Sequence, residues 1–525
     1  MDSVHLFELA IAMFLAIIVL HHLAHRVGLP PPAALIAGGA LLAFLPGVPT
    51  ITIDPALVIV LFLPPLLMDS AWVIALGQLK RHTFGIASLA IGTVLFTTIV
   101  VAVVTHLLFP SLPWAACAAL GAIVAPPDAV SARAVLQRVT LPRRVRILLE
   151  GESLLNDATG LVLFRFAIAA GVTGSFSATA AVGDFLLLAT GGAVVGLVVG
   201  MIWVKLARRL GDEYLIIAAT VLVSWTSYLL AEKAHVSGVI ATVTAGLIAS
   251  WHAHTALSAS TRMRGTSFWT VMIFLIEAAV FMLIGLSLRG VIERSGDFGT
   301  VIATMGVPSL VVLGTLVLAR FAWMFASDGV IRLCARLGVT QHAPLGARCT
   351  SVLGWAGVRG VVTLALALSV PEGFPGRDFI LVTSFVVILG TVLLQATTLE
   401  RVIRWARLVE SDKARVTMSQ AESAMAQKQL VTVQGAAYDG DGTLIHPKLL
   451  ERYTRKATMI VDYAERPDHY SPMLHAHFDV VLGAIASGRE ELIRLHRAGD
   501  IDDDTLRELE RDLDLEELSA LSAKS

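Results

Sequence analysis

Charged residues are scarce in this chain. They make up 15% of its 525 residues, against 56% hydrophobic residues, and the mean hydropathy is +0.75. A soluble chain carries about 25% charged residues, and a disordered chain is poor in apolar ones. The shortage of charge therefore excludes both of these classes and indicates a membrane protein.

Several motifs are also lacking. The three cysteines, Cys117, Cys334 and Cys349, have spacings that suggest neither a disulfide framework nor a zinc site. No Walker motif is present, which argues against an ATP-driven pump. The net charge is −1, and we expect no nucleic-acid partner and no cofactor.

What the chain has instead is a series of long apolar stretches. A helix that spans a bilayer needs about 20 mainly apolar residues. We identify thirteen such stretches: 5–24, 30–48, 55–77, 84–109, 113–132, 146–172, 182–204, 213–231, 235–252, 267–288, 300–324, 347–371 and 378–400. The sequence thus predicts an all-α, polytopic membrane protein with about thirteen transmembrane helices and the lipid bilayer as its environment.

The basic residues of the loops predict an orientation. With the N-terminus outside, the inner loops carry fifteen Lys and Arg and the outer loops carry four. Inner loops are normally the richer ones, so we expect the N-terminus outside and the C-terminus in the cytoplasm. We place the membrane domain at 1–404 and a cytoplasmic domain at 405–525.

The last 125 residues differ in composition from the rest. Residues 401–525 contain 17 Lys and Arg and 22 Asp and Glu, close to half of the chain's charges. Apolar residues recur there at helical spacing, interrupted at Gly499 and Asp500, so we predict a helical hairpin near 474–518. Residues 439–442, Asp-Gly-Asp-Gly, lack the glutamate that a calcium loop needs and are interpreted as a turn.

The densest polar cluster in the membrane part lies in the sixth stretch, in residues 151–158, Gly-Glu-Ser-Leu-Leu-Asn-Asp-Ala. Helical spacing places Ser153 with Asp157 on one strip, and Glu152 with Asn156 on the next. Asp157 is about 16 Å from the inner face, near the middle of the bilayer. Such hard oxygen ligands suit a small cation stripped of water, and the carboxylate could also take a proton. Because intramembrane charges are costly, these residues are candidates for function.

Two stretches contain helix breakers. The fifth holds Pro126 and Pro127 beside Asp128, and prolines remove helical hydrogen bonds. The twelfth holds three glycines around Arg359, also near mid-membrane. The two stretches are seven apart, so spans 1–6 and 8–13 could be inverted repeats, with a broken helix in each that points to a transporter's binding site.

The other charges at depth are weaker candidates. Asp69 and Glu277 lie in the third and tenth stretches. Arg165 is about 12 Å beyond Asp157 along the same helix, too far for a direct bond, and we expect it to pair with another carboxylate or a carbonyl. Arg320 is expected to extend to the inner interface from the end of stretch eleven.

The residues named so far resemble a known family. Residues 151–167, GESLLNDATGLVLFRFA, are its most specific signature, supported in order by LFLPPLLMDSAW, IEAAVFMLIGL and GVRG. The chain resembles the bacterial sodium/proton exchangers of the monovalent cation:proton antiporter-1 family over its whole membrane part. That resemblance implies a homodimer in the bacterial plasma membrane, two broken crossing helices and a role in pH regulation. The tail is expected to be a helical regulatory or interaction domain, with a regulator of unknown identity as a candidate partner.

The resemblance also implies roles for residues. Asn156 and Asp157 match the family's Asn-Asp pair, whose aspartate binds cation and proton in alternation, with Ser153 near the ion. Glu152 and Arg359 match a structural glutamate and arginine, here expected to form an ion pair. Asp69 matches an acidic position in the inner funnel, and Asp128 matches the aspartate of a Thr-Asp-Pro motif. This chain departs from that motif, with Pro127 and Ala129 at the flanking positions, so that Pro127 can offer a carbonyl but no hydroxyl.

These implications define an expected activity: exchange of Na⁺ or Li⁺ for H⁺, one for one, at Asp157. The membrane core would move against a fixed dimerisation domain, an elevator form of alternating access. Three alternatives remain: a potassium/proton antiporter of the same fold, a conductive cation channel, and an intramembrane aspartyl protease using Asp128 and Asp157. The last lacks a Gly-x-Gly-Asp segment.

Overall fold

A computed structural model describes most of the chain. The described residues form helices and one isolated bridge, between Tyr438 and Leu444. They are 3–45, 55–74, 77, 81–128, 141–174, 178–295, 299, 302–338, 343–408, 417–465 and 467–524. Contacts divide the chain into two compact units, Met1–Asp412 and Lys413–Ser525.

Each of the thirteen predicted stretches contains a helix, which confirms the all-helical membrane fold. Within the described residues, eight helices are long and apolar enough to cross a membrane, and three apolar helices are shorter. We number the helices of the first unit as follows: α1 Ser3–Val27, α2 Pro31–Ala43, α3 Pro55–Val73, α4 Thr83–Leu108, α5 Trp114–Val124, α6 Arg143–Thr173, α7 Ala178–Ala207, α8 Glu213–Lys233, α9 Gly238–Ala256, α10 Ala259–Ser295, α11 Ile302–Arg336, α12a Ala347–Trp355, α12b Val361–Leu368 and α13 Arg377–Ala406.

These helices pack as two bundles. Helices α1–α3 and α8–α10 contact mainly one another, and we call this group the first bundle. Helices α4–α6 and α11–α13 likewise form the second bundle, while α7 packs on α8 and α9. The predicted continuation of the fifth stretch from Ala129 to 132 lies outside the described residues.

Glycines allow close approach within the bundles. A methyl group on Gly39 of α2 would lie 2.5 Å from the carbonyl oxygen of Met282 on α10. A methyl group on Gly121 of α5 would lie 2.5 Å from the carbonyl oxygen of Thr98 on α4. Lipid tails are as apolar as these helices, so association depends on such van der Waals contact rather than on hydrophobic burial.

In the described part of the chain, three π-helical segments interrupt the long helices: Ser88–Thr93 in α4, Ile302–Gly306 in α11 and Thr391–Ala396 in α13. A π-segment shifts the register of the side chains that follow it, and such segments are frequent at functional sites. The segment in α13 places Thr391 fully inside the second bundle.

The second unit consists of α14 Met418–Ala436, α15 Pro447–Glu465, α16 Pro467–Ala498 and α17 Asp503–Lys524. Helices α16 and α17 form the predicted hairpin, and Gly499 ends α16 with a φ of +79° that favours glycine. Arg489 connects the two helices, 2.7 Å from Asp514 and 2.6 Å from Glu517. The predicted turn at 439–442 is present, and Gly442 donates to the Asp439 carbonyl.

Candidate functional site

The two interrupted spans meet in the second bundle. Helix α5 ends at Val124, and the chain then leaves helical geometry through Pro126 and Pro127 as the prolines predict. Helix α12 is broken between Trp355 and Val361. The backbone N–H of Asp128 donates to the carbonyl of Val358 over 2.7 Å, so the two breaks cross in direct contact.

Arg359 satisfies the freed carbonyls of α5. Its Nε donates to Val124 over 2.6 Å and its Nη2 to Ala125 over 3.0 Å, while Nη1 donates to Gly357. The side chain is 1% exposed. A guanidinium at the carboxyl end of a helix also faces the negative end of the helix dipole, so Arg359 caps α5 both by hydrogen bonds and by charge.

The expected ion pair between Glu152 and Arg359 is wrong. Glu152 instead forms a bidentate pair with Arg320, with Nη1–Oε1 and Nη2–Oε2 distances of 2.6 and 2.8 Å. The two side chains are 2% and 1% exposed. Arg320 also donates to the carbonyl of Leu353 from Nε and Nη2, both at 3.1 Å, close to the end of α12a.

The expectation that Arg320 reaches the inner interface is wrong for the same reason. The apolar window of stretch eleven stopped at residue 324, whereas α11 continues to Arg336. Arg320 therefore lies near the middle of the helix. The two arginines thus have different roles. Arg359 caps α5, and Arg320 caps α12a and neutralises Glu152.

Asp128 lies against the start of α12b. A methyl group on Gly360 would overlap Oδ2 of Asp128 and lie 2.8 Å from its Cγ, so only glycine leaves room for this carboxylate. The amino end of a helix carries partial positive charge, which favours a carboxylate there. The broken geometry thus places an anion at the amino end of one half-helix and a cation at the carboxyl end of another.

Asn156 connects α6 to the break in α5. Its Nδ2 donates to the Pro127 carbonyl over 2.6 Å, and the side chain is fully buried. Its Oδ1 has no hydrogen-bond partner among the described residues. The Pro127 carbonyl, expected as a cation ligand, therefore already accepts one hydrogen bond and has one lone pair left.

Asp157 lies on the face of α6 that is directed toward the first bundle. It lines a small cavity with apolar residues of α3, α6, α9 and α12b: Ile59, Leu63, Leu161, Val239, Val361, Val362, Ala365 and Leu366. Its carboxylate is close enough to that of Asp128 for the two to interact electrostatically. Ser153, one turn earlier on α6, is half-buried.

The remaining predicted residues lie further away. Asp69 is half-buried on α3, six residues from Leu63 and so about 9 Å along the helix from the cavity. Glu277 is half-buried on α10 of the first bundle. Arg165 forms the expected pair with another carboxylate, that of Glu232, at 2.9 Å.

Sequence reasoning missed Arg320 and Thr391. The backbone N–H of Arg359 donates to Thr391 Oγ1 over 3.0 Å, which fixes the break in α12 to the π-segment of α13. No local motif marks Thr391. Arg320 did carry a signal, since an arginine flanked by apolar residues on both sides needs a buried partner.

Two broken helices that cross inside a membrane bundle, beside buried carboxylates, are the architecture of secondary transporters. The chain belongs to the sodium/hydrogen exchanger family, whose transmembrane model matches residues 10–405.

The similarity extends to individual proteins. The chain is 32% identical, over 97% of its length and 95% of the relative's, to a protein named an uncharacterized Na⁺/H⁺ exchanger from Mycobacterium tuberculosis. It is 33% identical, over 74% of its length and 60% of the relative's, to the sodium, potassium, lithium and rubidium/H⁺ antiporter of Bacillus subtilis. The solved structure of the sodium proton antiporter MjNhaP1 from Methanocaldococcus jannaschii shares the fold, with a TM-score of 0.60, 22% identity, and coverage of 76% of this chain and 98% of that one.

Proposed function

We propose that this protein exchanges a monovalent cation, Na⁺ or Li⁺, for H⁺ across the bacterial plasma membrane, and that Asp157 is the shared site. The observation that carries the proposal is the position of Asp157, which lies where the second bundle faces the first, beside Asp128 and the crossing helix breaks. A carboxylate there can bind a cation or a proton but not both.

The surroundings of Asp157 supply further oxygen ligands. Asp128 offers a carboxylate, Ser153 a hydroxyl and Asn156 the Oδ1 atom that has no partner among the described residues. Such hard ligands suit small monovalent cations. The apolar wall of the cavity, which includes Leu63, Val239 and Val362, makes an unloaded and charged Asp157 costly there. The site therefore crosses only when it is loaded, which couples the two fluxes.

A proteoliposome assay tests the proposal. With a pH-sensitive dye inside, adding Na⁺ to the parent should dissipate a preset pH gradient, and Asp157→Asn should not. Asp378→Asn is the matched control, because Asp378 is an exposed carboxylate at the start of α13, a helix that contributes none of the described residues lining the cavity. Sustained Na⁺-driven proton movement in Asp157→Asn, with the variant folded, would contradict the proposal.

Potassium is the second candidate cation. The name of the Bacillus subtilis relative includes potassium and rubidium beside sodium and lithium. The same assay run with Na⁺, Li⁺ and K⁺ ranks the ions. A response to K⁺ that exceeds the response to Na⁺ at equal concentration would replace the sodium assignment and leave Asp157 in its role.

We further propose one-for-one exchange, with Asp157 as the single carboxylate that exchanges its proton for the cation, beside the neutral Asn156. An electroneutral cycle is insensitive to membrane potential. Clamping the potential at zero and at a large negative value should therefore leave the initial rate unchanged. A current that follows the cation gradient would instead indicate a conductive channel.

A further inference from the structure

Among the described residues, an ion pair between Arg165 and Glu232 connects the two bundles. Nη2 of Arg165, on α6 of the second bundle, lies 2.9 Å from Oε2 and 3.2 Å from Oε1 of Glu232, on α8 of the first. The side chains are 42% and 29% exposed. The pair is thus accessible rather than sealed in the protein, so it can break without leaving a fully buried charge.

The surface around this pair is apolar. Leu154, Ala158 and Leu161 of α6 pack with residues of the first bundle, among them Tyr228 and Val239. Apolar contacts have no preferred direction, and one such surface can shift over another at little cost. An ion pair with two short contacts does have a preferred geometry, so it favours one relative placement of the bundles.

Several polar contacts between described helices lie within one bundle. In the first, Trp225 donates to the Leu61 carbonyl. In the second, Arg320 binds Glu152 and Trp355 donates to Thr398. These contacts hold each bundle together and do not oppose movement between the two.

Arg165 is rigidly coupled to the candidate ion site. It lies eight residues after Asp157 on one uninterrupted helix, about 12 Å along the axis. Any displacement of Asp157 relative to the first bundle therefore displaces Arg165 by a similar distance. That distance need only be a few ångströms to break hydrogen-bond geometry.

Glu232 is fixed to the first bundle by the short connection between α8 and α9. It lies in the last turn of α8, and only four residues separate that helix from α9. Its Oε1 also accepts, over 3.4 Å, from the backbone N–H of Gly238 at the start of α9. Glu232 is therefore the fixed partner, and Arg165 is the one that moves with the ion site.

We propose that the Arg165–Glu232 pair is a latch. It stabilises the arrangement in which α6 of the second bundle lies against α8 of the first, and so it sets the balance between the two access states of the carrier. This inference rests on the proposed function. With the N-terminus outside, both residues lie toward the outer ends of their helices. The latch then holds the outer ends together, and breaking it favours the state in which the Asp157 cavity is open to the outside.

Accessibility of the cavity tests the latch without any transport measurement. In a variant whose three cysteines are replaced, Leu161→Cys reports on the cavity, because Leu161 lines it beside Asp157. Arg165→Gln or Glu232→Gln should raise the rate of labelling by an impermeant thiol reagent from the outside. An accessible ion pair shifts an equilibrium by at most about fivefold, so we expect a two- to fivefold increase. The double Gln variant should add little to either single one.

A second ion pair provides the matched control. Arg264 of α10 pairs with Glu213 of α8, and their side chains are 42% and 24% exposed, but both helices belong to the first bundle. Arg264→Gln should leave the labelling rate unchanged. Equal effects of the two arginine variants, or effects of Arg165→Gln and Glu232→Gln that simply multiply in the double variant, would overturn the latch.

Transport gives an independent measurement. If Arg165→Gln enlarges the outward-open population, the apparent KM for external cation should fall by the same factor as labelling rises. The charge-reversed double variant Arg165→Glu with Glu232→Arg should restore both values toward the parent. Labelling does not depend on transport, so a failure of Asp157 as the exchange site would leave the labelling result intact, and the two proposals can fail separately.

Discussion

At the scale of single residues, Glu152 shows how the membrane unit tolerates a charge at depth. The carboxylate is almost completely buried and both of its oxygens are bound by Arg320. Removing one partner of a buried pair costs about 3–5 kcal/mol, because the other charge is left unpaired. We therefore expect Arg320→Ala to lower the melting temperature of the purified protein sharply.

A double-mutant cycle measures the same pair directly. The coupling energy between Glu152→Gln and Arg320→Gln should reach about 2–3 kcal/mol, whereas that between Glu152→Gln and Arg359→Gln should be much smaller. Thermal or chemical unfolding in detergent gives both values. Coupling of Glu152 to Arg359 as strong as its coupling to Arg320 would contradict the assignment.

The pairing of Glu152 with Arg320, where Arg359 was expected, also shows what a sequence can predict about single residues. The depth of a residue follows from the rise per residue, and it predicts Asp157 and Arg359 both near the middle of the bilayer. Depth says nothing about the direction in which a side chain points around its helix. Arg320 was expected at the inner end of α11, and the packing of α11 against α12a brings it to Glu152 instead.

At the scale of elements, the crossing of the two breaks depends on Gly360. A side chain at this position would occupy the space of the Asp128 carboxylate. Gly360→Ala should therefore abolish transport in the dye assay while the protein remains folded, since Arg320 and Arg359 keep their partners. Gly314→Ala on α11 is the control: a methyl group there meets open space, and alanine in a helix is favoured by about 0.5–1 kcal/mol.

The breaks themselves were predictable, because Pro126, Pro127 and the glycines around Arg359 act locally. Their crossing and their caps were not, because these depend on contacts between segments some 230 residues apart in the chain. The end of α11 was also misplaced, since a hydropathy window stops at the first polar residues even where the helix continues.

The start of α17 depends on Asp502. The side chain and the backbone N–H of Thr505 donate hydrogen bonds that hold the pKa of Asp502 below its ordinary value. The charged form is thus favoured in the folded state. Its stabilising effect is present above the ordinary pKa, about 4, and is lost as the pH falls through the lowered folded value.

Hydrogen exchange on the full-length protein tests this cap. The first amides of α17 should exchange faster in Asp502→Ala than in the parent at neutral pH, and the difference should shrink as the pH falls below about 4. Asp502→Asn keeps an acceptor oxygen but cannot titrate, so its protection relative to Asp502→Ala should not depend on pH. A parent-to-Ala difference that is constant with pH would exclude Asp502 as the titrating cap.

At the scale of the whole molecule, the basic residues of the loops predict the orientation in the membrane. Fifteen basic residues lie in the loops predicted to be inside and four in those outside. With helices crossing alternately, we then expect the short connection between α4 and α5 outside, and the connection between α7 and α8 and the second unit inside. Ser111 lies in the first of these connections, Gly211 in the second, and Ala523 in the second unit.

Single cysteines at these positions, in a variant without Cys117, Cys334 and Cys349, should report the orientation. An impermeant thiol reagent added to intact cells should label Ser111→Cys and should label Gly211→Cys and Ala523→Cys only after permeabilisation. Ser111 is exposed in the connection that leads into α5, so burial would not explain a lack of labelling.

The reverse pattern would place the N-terminus inside, and the Arg165–Glu232 pair would then lie on the cytoplasmic side. The latch would in that case close the inner entrance, and breaking it would raise labelling of the cavity from the cytoplasm instead. The orientation therefore decides which face of the membrane the latch controls, while the pairing of the two bundles stays the same.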